Sequence, residues 1–241
     1  MPLFIAYHDG NVLDEKRQGW KDLLSVHLPD CQLVPLTHNA ANKAEIALVW
    51  KPPEGRLSEL PNLKLVISLG QGVDHVMSSG KLPAHVQLVR LVDPDMSHAL
   101  SQWVLLAVLD HLRDGPAYRK QAEARLFSSL PQRQNSHLPV AVYGMGAIGT
   151  VIASRLDDIE FDVHGWSRSK RQQGGSITLH HGPHGFEAML NRCQIHICIL
   201  PLTGETYHIF NAKTFSKMPK GAYFINGGRG SQVNEADLLN A

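Results

Sequence analysis

Val140-Ala-Val-Tyr-Gly-Met-Gly-Ala-Ile-Gly149 decides how this chain is to be read. Four residues suited to a buried strand run into Gly144, Gly146 and Gly149, spaced G-x-G-x-x-G. Thr150 to Leu156 then reads as a helix with Val151, Ile152 and Leu156 on its apolar side. Strand, tight turn and helix start together hold a dinucleotide pyrophosphate. The first glycine makes the turn, the second lets backbone approach phosphate, and the third lets helix pack on strand. The helix start adds unpaired N–H groups and the positive end of a dipole. Met145, Ala147 and Ile148 complete this candidate cofactor-binding turn. Glycines at this spacing also mark ordinary turns; the strand before and the helix after are what favour a cofactor.

The composition sets the outer bounds. At 241 residues, with 43% hydrophobic and 19% charged content, the chain suits one large domain or two moderate ones. A formal net charge of +1 gives no reason to expect nucleic acid or an anionic membrane as partner. No apolar run reaches the length of a membrane span. Met1 to Tyr7 is short and lacks the basic start of a signal peptide, so it reads as a first strand. Cys31, Cys193 and Cys198 make no disulfide framework, and the last two, in or beside an apolar strand, read as buried thiols. A cytoplasmic location is expected.

Strand-like runs recur on both sides of the glycine motif. Before it come Leu3–Tyr7, Cys31–Leu36, Ile46–Trp50, Leu65–Leu69 and Gln87–Leu91, with helical spacing over Asn11–Leu28 through Val12, Trp20, Leu23 and Leu24. A short helix is expected at Leu57–Leu60. A long amphipathic helix follows over Ser97–His111, then a polar stretch through Asn135. After the motif come strands at 161–166, 195–200 and 222–226 and helices at 185–192 and 211–217, with a glycine- and histidine-rich loop after the first of these strands. Asn234–Ala241 reads as the start of a helix. Apolar strands alternating with helices imply parallel sheets covered on both faces.

The strand at 161–166 runs into Ser167-Arg-Ser169. An acidic residue is expected about there to bind the ribose hydroxyls of NAD. Arg168 stands nineteen residues after Gly149 instead, among Ser167, Ser169 and Lys170. That suits a 2′-phosphate and points to NADP(H) in preference to NAD(H). A solvated basic turn is the alternative.

Ile199-Leu-Pro-Leu-Thr-Gly-Glu-Thr206 and Gly221-Ala-Tyr-Phe-Ile-Asn-Gly-Gly-Arg-Gly230 together resemble the D-2-hydroxyacid dehydrogenase family, in which two such strand ends flank the nicotinamide. Ser68-Leu-Gly-Gln-Gly-Val-Asp74 is similar to that family's substrate loop. Ala47-Leu-Val-Trp-Lys-Pro-Pro53 and Trp166-Ser-Arg168 resemble its glyoxylate/hydroxypyruvate reductase branch. The resemblance implies an α/β fold of two doubly wound parallel-sheet domains. Residues 1–96 would form a flavodoxin-like substrate domain, and 97–241 a Rossmann dinucleotide-binding domain, the second incomplete.

It also implies roles. Arg229 would bind a small 2-oxo acid and stabilise charge developing on its oxygen, since a guanidinium offers a fixed charge and a planar fork of donors. Backbone N–H groups of Gln71, Gly72 and Val73 would hold the substrate carboxylate, in a nest using positive glycine φ angles. Trp50, and more loosely Met96, would wall the pocket. Leu200, Pro201, Leu202 and Gly228 would pack the cofactor, and Thr206 would bond it. Core packing and ordinary turn capping account for the same residue types. His180, His181 and His184 read as a solvated loop, so no metal is expected. At Gln102 the family often has Glu, so no role is assigned there.

Reduction of a 2-oxo acid also needs a proton donor, typically a histidine oriented by a carboxylate. The resemblance places that pair beyond Arg229, where this sequence has twelve residues and no histidine after His208. The chain is therefore expected to stop inside its second domain, to bind NADPH weakly and to turn over nothing. A non-catalytic dinucleotide-binding or dimerising remnant, or a relative acting on another 2-oxo acid, is the alternative. The family usually forms homodimers.

Overall fold

Short apolar runs become parallel strands in both halves of the chain. The computed structural model describes residues 2–10, 22–172 and 175–241, and they divide into two compact units, Met1–Asp93 and Pro94–Ala241. In the first unit, β1 (Leu3–Asp9), β2 (Cys31–Pro35), β3 (Ile46–Trp50), β4 (Leu65–Ser68) and β5 (Gln87–Arg90) form one parallel sheet in the order β2-β1-β3-β4-β5. This is the flavodoxin-like order. Ala6, Ala47, Val49 and Val66 fill its core with Leu36, Leu57 and Leu63. Helix α1 (Asp74–Met77) opens directly after the loop that follows β4. The short helix expected at Leu57–Leu60 is a 3-10 turn over Arg56–Glu59. Of the expected Asn11–Leu28 helix, positions 11–21, with Val12 and Trp20, lie outside the described residues, and 22–27 are helical.

The second unit contains α2 (Pro94–Leu112), α3 (Gly115–Glu123), β6 (Pro139–Tyr143), α4 (Ala147–Asp158), β7 (Asp162–Ser167) and β8 (Thr178–His181). It continues with α5 (Gly182–Arg192), β9 (Ile195–Cys198), α6 (Ala212–Phe215), β10 (Tyr223–Asn226) and α7 (Glu235–Leu239). Its parallel sheet runs β10-β9-β6-β7-β8, the doubly wound dinucleotide-fold order. Central β6 pairs with both β7 and β9, Val140 lying beside Val163 on one side and Ile195 on the other. Alternate β6 residues serve opposite faces: Val140 and Val142 join Ile152, Leu156, Val104 and Val108, whereas Ala141 and Tyr143 join Met189, Leu190 and Phe210.

Three expectations are corrected. Helix α2 starts at Pro94, before the Ser97 that apolar spacing indicates, because proline's fixed φ suits the first helical position. The polar stretch after it contains α3, which buries no residue and so shows no apolar stripe. The histidine-rich loop is in part the edge strand β8, carrying His180 and His181, and the first turn of α5, carrying His184. Its pairing comes from β7, with His164 opposite Thr178, reinforced by a 2.9 Å His164 Nδ1–His180 Nε2 hydrogen bond. Among the described residues no helix is long and apolar enough to cross a membrane.

Candidate active site

The chemistry-bearing segments of the second unit follow the carboxyl ends of adjacent strands. The glycine turn follows β6, Arg168 follows β7, Leu200–Thr206 follow β9, and Arg229 follows β10. In the order β10-β9-β6-β7, successive connections leave β6 in opposite directions, and the crevice at such a switch point is where ligands bind in open α/β sheets.

Each motif glycine has a different reason to lack a side chain. Gly144 has φ +106°, and a Cβ there would lie 2.7 Å from the Ile199 carbonyl oxygen. On Gly149 a Cβ would lie 1.9 Å from the Gly144 carbonyl oxygen, so helix α4 can seat on the turn only as glycine. Gly146 has an ordinary φ of −83°, and a Cβ on it meets nothing within 4 Å. Nothing among the described residues demands glycine at 146. It forms the N-cap of α4 without a side chain to cap with, so first-turn N–H groups face outward beside exposed Ala147. This arrangement fits a diphosphate that needs close backbone approach. Met145 differs from its neighbours: it is buried, its N–H donates to the Trp166 carbonyl, and its sulfur packs where a Gly165 side chain would go. Ile148 packs against the core in part.

Arg168 is exposed and its Nη1 lies 3.3 Å from Glu205 Oε2. The Ser167 hydroxyl donates to the Ser169 carbonyl at 2.8 Å. After β9, Leu200 is buried, Pro201 exposed and Leu202 half-buried. The Thr206 hydroxyl, expected to reach a cofactor, donates to the Pro201 carbonyl at 2.6 Å and accepts the Thr203 N–H at 2.8 Å. It braces the loop on which a cofactor would pack.

Gln232, which the sequence reading overlooked, joins the two motif strands. Fully buried, it donates Nε2–H to the Leu200 carbonyl at 2.6 Å and accepts the Arg229 N–H at 2.9 Å. Cys198 Sγ donates to the same oxygen at 3.3 Å; burial pushes this thiol up to about 12, so it keeps the proton. A Cβ on Gly228 would lie 2.3 Å from Gln232 Oε1, so that glycine makes room for the carboxamide. Asn226 Nδ2 donates to the Arg229 carbonyl at 2.9 Å, and Arg229 Nη1 to the Gly228 carbonyl at 3.2 Å. The backbone carrying the guanidinium is thus held at both its N–H and its carbonyl.

In the first unit, the loop after β4 is shaped from beneath. Ser68 Oγ lies 3.0 Å from the Gly70 carbonyl and 2.8 Å from that of Gly72. His75 Nδ1 accepts the Lys51 N–H at 3.0 Å, which leaves the ring proton on Nε2, 3.0 Å from Ser68 Oγ. His75 therefore cannot act as a base toward that serine; the pair is a brace. The Trp50 ring packs tilted against His75, with centroids 4.2 Å apart, and fills the space a Gly70 side chain would need. Gln71 Nε2 donates to the Asp93 carbonyl, and its own carbonyl accepts from Arg90. Gly72 and Val73 are half-buried. The expected positive φ is corrected, since Gly70 and Gly72 are not among the positive-φ glycines. Gly70 is glycine to admit the indole. Met96 is 42% exposed and belongs to α2 in the second unit. Among the described residues no group of three or more His, Cys, Asp or Glu is placed to hold a metal.

Comparison with known proteins bears on these same segments. Residues 105–241 match the NAD-binding domain of D-isomer specific 2-hydroxyacid dehydrogenases. The chain is 34% identical over 227 residues to glyoxylate/hydroxypyruvate reductase A of Yersinia enterocolitica, covering 92% of this chain and 72% of that one. Against the protein of that name from Serratia proteamaculans it is 34% identical over 229 residues, covering 93% and 73%. Among solved structures it matches the D-isomer specific 2-hydroxyacid dehydrogenase of Xanthobacter autotrophicus Py2 in complex with NADPH and MES, with TM-score 0.89, 33% identity and coverage of 100% and 77%. It also matches the NADPH-dependent glyoxylate/hydroxypyruvate reductase of Sinorhizobium meliloti in complex with NADP and sulfate, with TM-score 0.85, 34% identity and coverage of 100% and 77%.

Proposed function

This chain belongs to the D-isomer specific 2-hydroxyacid dehydrogenase family of oxidoreductases, and on that premise we propose that it binds NADP(H) in preference to NAD(H) and serves reduction of glyoxylate or hydroxypyruvate to the 2-hydroxy acid. The observation that carries the cofactor reading is the pairing of an open, unforced glycine at 146 with Arg168 at the neighbouring strand end. Named relatives act on glyoxylate and hydroxypyruvate, and matched structures hold NADPH or NADP.

In this reading the bound nicotinamide supplies the hydride. The chain's own residues bind, orient and polarise. First-turn N–H groups of α4 take the diphosphate, and Arg168, with Ser167 and Ser169, takes the 2′-phosphate. The loop Gln71–Val73 offers backbone N–H groups to the substrate carboxylate. Arg229 sets a fixed positive charge beside the carbonyl oxygen, where negative charge grows as the carbonyl is reduced.

We propose a homodimer as well, supported by exposed Trp103 and Leu106 on α2 and exposed Leu126 and Phe127 beyond α3. A cytoplasmic setting accords with three cysteines that are all free thiols.

The test is a fluorescence titration of the 241-residue chain with NADPH and with NADH. NADPH should bind more tightly, and Arg168→Asp should move the preference toward NADH. An unchanged preference would refute the 2′-phosphate assignment. Glyoxylate and hydroxypyruvate should then perturb the NADPH complex at lower concentration than larger 2-oxo acids do.

A further inference from the structure

We propose that Glu205 is a specificity-determining residue: it occupies the Arg168 guanidinium in the free protein and lowers the affinity for NADPH without affecting NADH. The inference rests on the reading of Arg168 given above. Strands β7 and β9 flank β6 in the sheet, so the loops bearing Arg168 and Glu205 stand on either side of the glycine turn. Their side chains meet at 3.3 Å although 37 residues separate them in sequence.

Both partners are open to water, at 83% and 73% exposure. An ion pair so exposed contributes little to folding. Its position therefore matters more than its strength. The two residues share the rim of a cavity of about 470 Å³ lined also by Trp166, Phe186 and Lys213. A second acid of that cavity, Glu187, is engaged by Lys217 and is not competing for Arg168.

A 2′-phosphate arriving at Arg168 must displace the Glu205 carboxylate from the guanidinium and then remain near it. Two anions then share a site built around one arginine. NADH carries no group that needs this guanidinium, so it leaves the ion pair in place. Glu205 accordingly acts on one nucleotide and not the other. At the high effective dielectric of an exposed site, removing one such repulsion is worth about threefold to tenfold in affinity. The benefit should fall with ionic strength, because exposed charges are screened over about 10 Å at 0.1 M salt.

The experiment titrates NADPH and NADH into the wild-type chain, Glu205→Gln, Glu205→Lys and Arg168→Ala, at low and high salt. Glu205→Gln should tighten NADPH about threefold to tenfold and Glu205→Lys at least as much. NADH should change less than about twofold for either, and the gain should shrink in salt. Unaltered NADPH affinity in both Glu205 variants, or equal tightening of both nucleotides, overturns the proposal. If Arg168→Ala abolishes the NADPH preference while the Glu205 variants do nothing, the proposal fails and the Arg168 reading stands. If Arg168→Ala leaves the preference intact, both fail together.

Discussion

Acidification should unfold this protein through His196 more than through any surface group, and the effect can be isolated by two substitutions. His196 lies in β9, fully buried, with its Nδ1 3.0 Å from the Tyr143 hydroxyl and its Nε2 without a hydrogen-bond partner among the described residues. Burial drives its pKa down from 6.5 to about 4, against a weaker opposing pull from the Cys193 backbone. Between pH 6.5 and about 4 the unfolded chain takes up a proton that the folded chain refuses, so stability present above pH 6.5 is lost as pH falls through this window. At pH 4.5 two pH units of that window have been crossed, a loss of about 3 kcal/mol at 1.36 kcal/mol per unit. For a chain of this size that is a fall of about 5–10 °C in midpoint. The double variant Tyr143→Phe/His196→Leu removes the titrating ring and the hydroxyl it would otherwise strand, while Phe keeps the ring contacts with Phe186 and Phe210. Thermal unfolding at pH 7.5, 6.0, 5.0 and 4.5 is the assay. The variant should lose about 5–10 °C less than wild type between the extremes. Equal losses in both proteins would refute the argument, because every other group that titrates between pH 7.5 and 4.5 is shared, the buried Tyr143 phenol keeping its proton throughout.

Three further outcomes separate structural from functional parts. Gly146→Ala should leave the unfolding midpoint unchanged, within about 0.5 kcal/mol, yet weaken NADPH binding; Gly149→Ala should destabilise the second unit by several kcal/mol, since its Cβ would collide with the Gly144 carbonyl. Gln232→Leu should lower the unfolding free energy measured in urea by about 2–4 kcal/mol, because it strands the Arg229 N–H and the Leu200 carbonyl together. Among native thiols a disulfide reagent at pH 8 should react with Cys31 alone: burial pushes Cys193 and Cys198 up to about 12, and all three should react in urea.

The turn Gly144–Gly149 was legible because its chemistry is local: a strand, three glycines and a helix start are adjacent in sequence. Arg168 was legible for the same reason, standing at a set distance past that turn on the next strand. Apolar runs such as Ile46–Trp50 and 195–200 declared themselves as strands by composition, the second ending in the structure at Cys198, and their alternation with helices implied parallel sheets. Strand β8 did not, because Thr-Leu-His-His has no apolar face of its own and becomes a strand only against β7. Helix α3 did not, because it buries nothing.

The hydrogen bonds that define the site lie further still from sequence logic. Thr206 reads as a ligand contact but turns its hydroxyl onto Pro201, and Gly228 reads as a cofactor contact but makes room for Gln232. Tyr143 and His196 are 53 residues apart, Arg168 and Glu205 37, Gln232 and Leu200 32. Residue type and spacing alone determined which backbone turn can take a diphosphate and which arginines stand at strand ends. Which donor and acceptor each residue is committed to was decided by the sheet order β10-β9-β6-β7, which brings the ends of distant strands within hydrogen-bonding reach. A buried polar group must find a partner wherever the fold puts one, and sequence spacing does not record where that will be.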